Sequence, residues 1–196
     1  MRKAAVPLIA LALVTGACSS PETGEPVPSG DRGTQSQQPP TTTTTATAEL
    51  PARPQALPLD QVNPCDLLTE AQRADLDVVR ARETKDDSEA ECAFTVETPE
   101  RNLDLRVVAD TREGVDAWLN TPRNVTVEPT TIDGFGAAHF WFKGGSGADC
   151  NTAVDVADGQ HLQVELLLPG AGWTQEKLCE TTDRFAAAAL TTLRAG

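Results

Sequence analysis

Two histidines and one serine are the side chains in this sequence best suited to acid–base or nucleophilic chemistry. His139 and His161 are the only two histidines, and histidine is the residue whose ordinary pKa lies near neutrality. Ser146 lies in the segment GGSGA at 144–148, which loosely matches the Gly-x-Ser-x-Gly turn of a hydrolase nucleophile with Ala148 in the last place. Both histidines fall in strand-like segments, so structural roles are favoured. A hydrolase or modifying enzyme that uses His139 or Ser146 is the alternative prediction.

One cysteine predicts a lipid anchor. Arg2 and Lys3 precede an apolar run at 4–14, and small residues at 15–17 stand directly before Cys18. A basic start, a short apolar stretch and small residues are the parts of a secretory signal. The segment VTGAC at 14–18 resembles a bacterial lipobox, whose cysteine is acylated. We therefore expect a lipoprotein signal peptide at 1–17, lipidation of Cys18 and attachment to the outer face of the cytoplasmic membrane.

The other four cysteines predict two disulfides, because their number is even and the expected compartment is oxidising. They can pair in three ways. Pairing Cys65 with Cys92 and Cys150 with Cys179 is favoured, since each bond would tie a helix end to a nearby strand. Metal-binding and redox cysteines usually occur as Cys-x-x-Cys, which is lacking here. We therefore expect neither a metal site nor a cofactor.

An aromatic cluster is the candidate binding surface. It consists of Phe135, Phe140, Trp141 and Phe142, within a predicted strand. Because side chains alternate along a strand, one set must enter the core while the other could line a pocket or meet a partner. A strand covered on both faces is the favoured alternative.

Composition excludes some partners and divides the chain. The net charge of −13 argues against binding to nucleic acid, and against a polybasic membrane contact. Residues 18–58 are rich in proline, threonine and serine, which predicts a disordered tether behind the lipid anchor. Residues 59–196 carry regular patterns and are predicted to form one domain.

The domain is predicted to be an α+β two-layer sandwich. Thr69 and Gln72 form a capping box that predicts a short helix ending near Leu76, and the charged segment at 80–91 is expected to be a loop. A second helix is expected from Thr111 to about residue 121, and Thr174 is expected to cap the last one. Apolar residues of this last helix recur at spacings of three and four, so one stripe is expected to face the sheet. Strands are predicted near 92–96, 103–107, 125–127, 137–142, 153–156 and 162–168. Asp158-Gly159 is expected to join the last two in a tight hairpin. We expect an antiparallel sheet of about five to six strands, packed by N- and C-terminal helices.

The combined pattern resembles a known family. The pieces that carry the resemblance are NPCDLLT at 63–69, CAF at 92–94, IDGFGAA at 132–138, CNTAVDV at 150–156 and Cys179 before an alanine-rich helix. They resemble the actinobacterial lipoproteins of domain of unknown function 3558. The resemblance implies a surface lipoprotein without established catalytic residues. We expect a non-enzymatic module that binds an envelope protein or a small apolar ligand, with a structural spacer as a further alternative.

Overall fold

A computed structural model describes residues 49–86, 89–98, 102–144, 148–169 and 172–196. The predicted signal peptide, Cys18, Ser146 and most of the predicted tether lie outside these ranges. The helices are a short 3-10 helix at Pro64–Leu67, α1 at Glu70–Asp75, α2 at Val115–Asn120 and α3 at Gln175–Ala195. The strands are β1 at Val78–Asp86, β2 at Glu89–Glu97, β3 at Asn102–Asp110, β4 at Val125–Ile132, β5 at Phe135–Phe142, β6 at Asn151–Ala157 and β7 at Gln160–Pro169.

One antiparallel sheet of seven strands organises the domain. Its order is β1-β2-β3-β7-β6-β5-β4, so two meanders meet where β3 pairs with β7. Helix α2 lies in the connection between the two meanders. The predicted α+β class is confirmed, and the sheet has one or two more strands than expected.

The prediction of a charged loop at 80–91 is wrong. This segment forms most of β1 and the start of β2. Val78 and Ala81 both pack against the core, but an irregularity in the pairing between Val78 and Arg80 interrupts the two-residue alternation of a strand. Because β1 is an edge strand, the side chains of Arg80 and Arg82 remain exposed to solvent. The charges and the shifted register together concealed this strand.

The main core lies between one face of the sheet and helix α3. The stripe of α3 that was expected to face the sheet is buried, including Phe185 and Leu190. The ring of Phe185 meets the ring of Phe94 edge to face, with centroids 6.1 Å apart. Helix α1 begins with the predicted capping box of Thr69 and Gln72. Helix α2 is shorter than expected, since it begins after Gly114 rather than at Thr111.

Two disulfides cross-link the domain in the favoured pairing. Cys65 bonds to Cys92, which joins the 3-10 helix to β2. Cys150 bonds to Cys179, which joins the residue directly before β6 to α3. Each closes a loop of fewer than about 30 residues, for which chain-entropy arguments give roughly 3–4 kcal/mol of stabilisation.

A minor core occupies part of the opposite face of the sheet. Helix α2 covers β4, β5 and β6 there, and the buried members of this core are Val115, Val125, Ala138, Phe140 and Ala153. Residues 49–57, which we call the N-terminal strap, lie over the same region. Leu50 packs against the minor core, and Leu57 donates a backbone hydrogen bond to the carbonyl of Val156.

The strap approaches the sheet at a glycine. A Cβ added at Gly136 would lie 2.8 Å from the Cβ of Leu50 and 3.2 Å from Cδ of Pro51. Only glycine therefore lets the strap lie this close to β5. Residues 49–58 were predicted to be tether, yet they contact the domain. Within the described residues, none of the helices combines the length and apolarity needed to span a bilayer.

Candidate functional site

The aromatic cluster does not form one surface. Phe135 is fully buried in the main core, whereas Phe140 is buried in the minor core on the opposite face. Phe140 stacks on Trp118 of α2, with centroids 4.1 Å apart. Trp141 is half-buried, and Phe142 is 60% exposed. The alternation of side chains along β5 explains this division. Phe135 and Phe140 serve packing, so a binding role stays a prediction for Trp141 and Phe142.

His161 is enclosed by its hydrogen-bond partners. Its side chain is completely buried, with Nδ1 2.8 Å from the carbonyl oxygen of Glu113 and Nε2 2.8 Å from Oε1 of Gln163. The ring also meets Trp118 edge to face. Both nitrogens are therefore engaged in internal bonds, which supports the structural role favoured from the sequence.

His139 belongs to a second polar group, beneath α3. Its Nε2 lies 2.8 Å from Oδ1 of Asp183, and its side chain is 17% exposed. The hydroxyl of Thr152 donates to the same carboxylate oxygen at 2.9 Å and lies 2.8 Å from the hydroxyl of Thr182. Because Thr152 bonds to the carboxylate and not to the imidazole, the histidine does not activate this hydroxyl as it would in a catalytic triad.

The disulfide between Cys150 and Cys179 lies beside this histidine. A ring nitrogen of His139 and the two Sγ atoms all lie within 4.8 Å of one another. The proximity of His139 to these cysteines was not predicted from the sequence, and the structure brings the three side chains together. Ser146, the other candidate nucleophile, lies outside the described residues.

A surface cavity with a volume of about 540 Å³ gathers several charged side chains, and we call it the acidic cavity. It lies where the N-terminal strap crosses α2 and the β6–β7 turn. Four carboxylates, one guanidinium and two leucines contribute to its wall. The lining residues are Glu49, Leu50, Arg53, Asp116, Leu119, Asn120, Asp155, Asp158 and Gly159.

Local structure fixes the polar groups of the acidic cavity. Asp116 lies in the first turn of α2, and Leu119 follows one turn later on the same side. Asp155 lies on β6, paired with His161 of β7. Asp158 begins the Asp158-Gly159 hairpin that the sequence predicts, with Gly159 at a φ of 67°. A strand, a hairpin and a helix thus carry three carboxylates toward one region.

Arg53 of the strap occupies the acidic end of this cavity. Its Nη1 donates to Oδ1 of Asp155 at 2.7 Å, and its Nη2 contacts Asp158. Desolvation lowers the pKa of Arg53, but the hydrogen bonds and charges of the two aspartates outweigh it and leave the pKa raised. The strap therefore supplies a guanidinium to a site built by the domain.

The charge of the acidic cavity is not fully compensated. Burial raises the pKa of Asp155, and the nearby Asp116 and Asp158 raise it further, although Arg53 acts in the opposite direction. The net result is a pKa above the ordinary 3.8. Burial is the largest cause of this shift, and the excess of negative charge is shown by the lining itself, which has four carboxylates and one guanidinium. A further cation would relieve that excess.

Sequence reasoning missed this cavity. Its carboxylates are scattered over three elements, and Arg53 falls in the segment assigned to the tether. One signal was available: Leu50, Leu57 and Leu59 are apolar residues at the end of an otherwise polar stretch, and Arg53 is the single charged residue between Glu49 and Asp60.

The sheet, the helices and the two disulfides define a cross-linked α+β domain with one acidic cavity and one histidine–disulfide group. The chain belongs to the family designated DUF3558, proteins of unknown function, which matches residues 13–192. No curated protein and no solved structure matches the chain. The family expected from the sequence is thereby confirmed.

Proposed function

We propose that this protein is a membrane-anchored lipoprotein of the cell envelope that acts as a non-enzymatic binding module. The lipobox-like segment before Cys18 supports the anchor and the location. The acidic cavity carries the binding proposal, because it combines a defined volume with several converging charged groups. The fixed positions of His139 and His161 favour binding over catalysis.

The cavity suits a small organic cation. Its volume of about 540 Å³ falls within the range of roughly 300–1,000 Å³ typical of small-molecule sites. Leu50 and Leu119 provide apolar contact, and the carboxylates favour an ammonium or guanidinium group. The bond from Arg53 to Asp155 displays this recognition within the chain itself. A purely apolar ligand, which the sequence suggested, fits this wall less well, because it would leave the carboxylates without a new partner.

Calorimetric titration tests the binding proposal. The full chain carrying C18S, which removes the acylation site, is titrated with hexylguanidinium and hexylamine, with hexanoate as the matched anion. We expect saturable binding of the two cations and none of the anion. Asp155→Asn should weaken cation binding about tenfold, which corresponds to about 1.4 kcal/mol.

Three results would count against the proposal. They are equal binding of hexanoate, an affinity unchanged by Asp155→Asn, and no binding of either cation. In the last case proximity labelling in the envelope would examine a protein partner in place of a small ligand. Incorporation of labelled palmitate that persists after Cys18→Ser would contradict the anchor, independently of what the cavity binds.

A further inference from the structure

The side chain of His139 lies beside the Cys150–Cys179 disulfide. A ring nitrogen of His139 lies within 4.8 Å of both sulfur atoms. Across the described ranges, this is the one group of three histidine, cysteine or acidic side chains close enough to hold a metal ion. The other disulfide, Cys65–Cys92, belongs to no such group among those residues. The two cross-links therefore differ in chemistry although they resemble each other in sequence spacing.

A carboxylate fixes the imidazole of His139, as is common for imidazoles that bind metals. Its Nε2 lies 2.8 Å from the Asp183 carboxylate, which also accepts a hydrogen bond from Thr152 at 2.9 Å. A carboxylate that receives the proton of one ring nitrogen leaves the lone pair on the other and fixes the ring plane.

A groove beside α3 is lined by one cysteine of the disulfide. The groove has a volume of about 520 Å³ and is lined in part by Cys179, Asp183 and Glu176. Cys179 is half-buried, whereas Cys150 is completely buried. Cys179 is therefore the cysteine nearer to solvent, and a thiol reagent would approach the disulfide from its side.

We infer that reduction of Cys150–Cys179 converts this group into a binding site for a thiophilic divalent cation, with Zn²⁺ as the natural candidate. A dithiol reductant supplies two electrons and two protons, forms its own disulfide and leaves two cysteine thiols. Binding of Zn²⁺ then releases the two thiol protons to water, and both thiolates and the His139 nitrogen become ligands. The groove supplies the fourth position, which water fills.

The required movement is small. With Zn–S distances of about 2.3 Å and a Zn–N distance of about 2.0–2.1 Å, tetrahedral ligands lie roughly 3.5–3.8 Å apart. The sulfurs must separate from bonding distance, and the imidazole must move from a position that is already within 4.8 Å. Rotation of the cysteine side chains achieves displacements of this size without moving β6 or α3. Two thiolates and one imidazole with an open fourth position are an established zinc ligand set.

Cobalt binding to the reduced chain tests this inference. The full chain carrying C18S, so that residue 18 adds no thiol, is reduced with a phosphine and titrated with Co²⁺ and then Zn²⁺ without oxygen. We expect a thiolate-to-cobalt charge-transfer absorption, one metal ion per chain by native mass spectrometry, and displacement of Co²⁺ by Zn²⁺. The oxidised chain should show none of these.

Matched variants locate the site. Cys65→Ser with Cys92→Ser should retain metal binding, and Cys150→Ser with Cys179→Ser should abolish it. His139→Ala should lower the affinity at least tenfold, and Asp183→Asn by about 10–100-fold, because the carboxylate acts through the imidazole. Circular dichroism accompanies each titration to show that the reduced sheet is intact.

The outcomes separate clearly. Absence of binding by the reduced, folded chain would overturn the inference, as would binding that survives loss of Cys150 and Cys179. Unfolding on reduction that Zn²⁺ does not reverse would also overturn it, since a preformed site requires the fold. The groove shares no residue with the acidic cavity, so these results are independent of the cation-binding test.

Discussion

Arg53 donates a hydrogen bond of 2.7 Å to Asp155, a residue 102 positions later in the chain. The two side chains are about one-fifth exposed. The bond joins a segment that precedes the first helix to the sixth strand of the sheet. The N-terminal strap is thereby a wall of the acidic cavity and a part of the domain's structure.

Removing the guanidinium should destabilise the domain. We expect Arg53→Ala to lower the free energy of unfolding by about 1–2 kcal/mol, because Asp155 loses a charged hydrogen bond while it remains half-buried. Arg53→Lys should lose less, since it keeps the charge without the planar fork. Urea unfolding measures both. A double variant with Asp155→Asn should recover part of the loss; strict additivity of the two single effects would show that the pair does not interact.

Asp155 of the acidic cavity should make the free energy of unfolding depend on pH. The pKa of Asp155 is raised on folding, so the folded chain binds this proton more tightly than the unfolded chain. Its contribution to stability is therefore present at low pH and is lost as pH rises from the ordinary 3.8 through the raised value. In Asp155→Asn this part of the pH dependence should disappear.

Unfolding curves collected across the acidic range measure this effect. Asp104→Asn, at an exposed carboxylate on β3, is the matched control for the loss of one carboxylate from the sheet. A profile of Asp155→Asn identical to that of the parent chain would contradict the assigned cause. Cation binding should follow the opposite trend, because the ligand requires the ionised carboxylate and so binds more strongly as pH rises.

Truncation of two phenylalanines on β5 should change the free energy of unfolding by very different amounts. Phe140→Ala should lower the free energy of unfolding by about 3–5 kcal/mol, because it empties a site in the minor core. Phe142→Ala, two residues further along the strand, should change it by less than about 0.5 kcal/mol, since the ring is mostly exposed. Chemical denaturation distinguishes them. If Phe142→Ala weakens binding of a partner without changing stability, the predicted binding role of this end of β5 gains support.

Filling the space at Gly136 should displace the strap. Because the added Cβ would meet the Cβ of Leu50 at 2.8 Å, we expect Gly136→Ala to cost about 1–3 kcal/mol and to increase proteolytic cleavage before residue 57. Adding Leu50→Gly removes the closest opposing atom and should restore part of the protection, while Pro51 still lies 3.2 Å from the added Cβ. Limited proteolysis with mass spectrometry locates the cuts. Unchanged cleavage in Gly136→Ala would contradict the described position of the strap.

Local signals predicted much of the fold. The capping box at Thr69, the hairpin at Asp158-Gly159 and the apolar stripe of α3 each reside in a few neighbouring residues, and all three are present. The cysteine pairing was predictable because each bond joins elements close in sequence. Strand β1 was not predicted, because its irregular pairing interrupts the alternation of apolar and polar residues on which strand prediction depends.

The candidate sites depended on contacts that no local signal encodes. His139 meets Asp183 across 44 positions, and the acidic cavity gathers groups from the strap, α2 and the β6–β7 hairpin. Both arise from the sheet order, in which β7 returns to pair with β3 and places β6 and β5 beside it. The positions of the strands alone do not show that these side chains lie close together, because their proximity depends on the order of strands in the sheet.

Each disulfide closes within one meander and its adjoining helix. Cys65–Cys92 lies before α2 and Cys150–Cys179 lies after it, so no covalent cross-link described here spans the β3–β7 pairing. A single peptide-bond cleavage in the α2 region would yield two fragments, each with its own internal bridge. Non-covalent contacts would hold them together, among them the β3–β7 ladder, the shared main core and the bond from Arg53 to Asp155. The domain could therefore be divided as split reporter proteins are. Its two halves could be expressed separately and reassembled through the β3–β7 pairing.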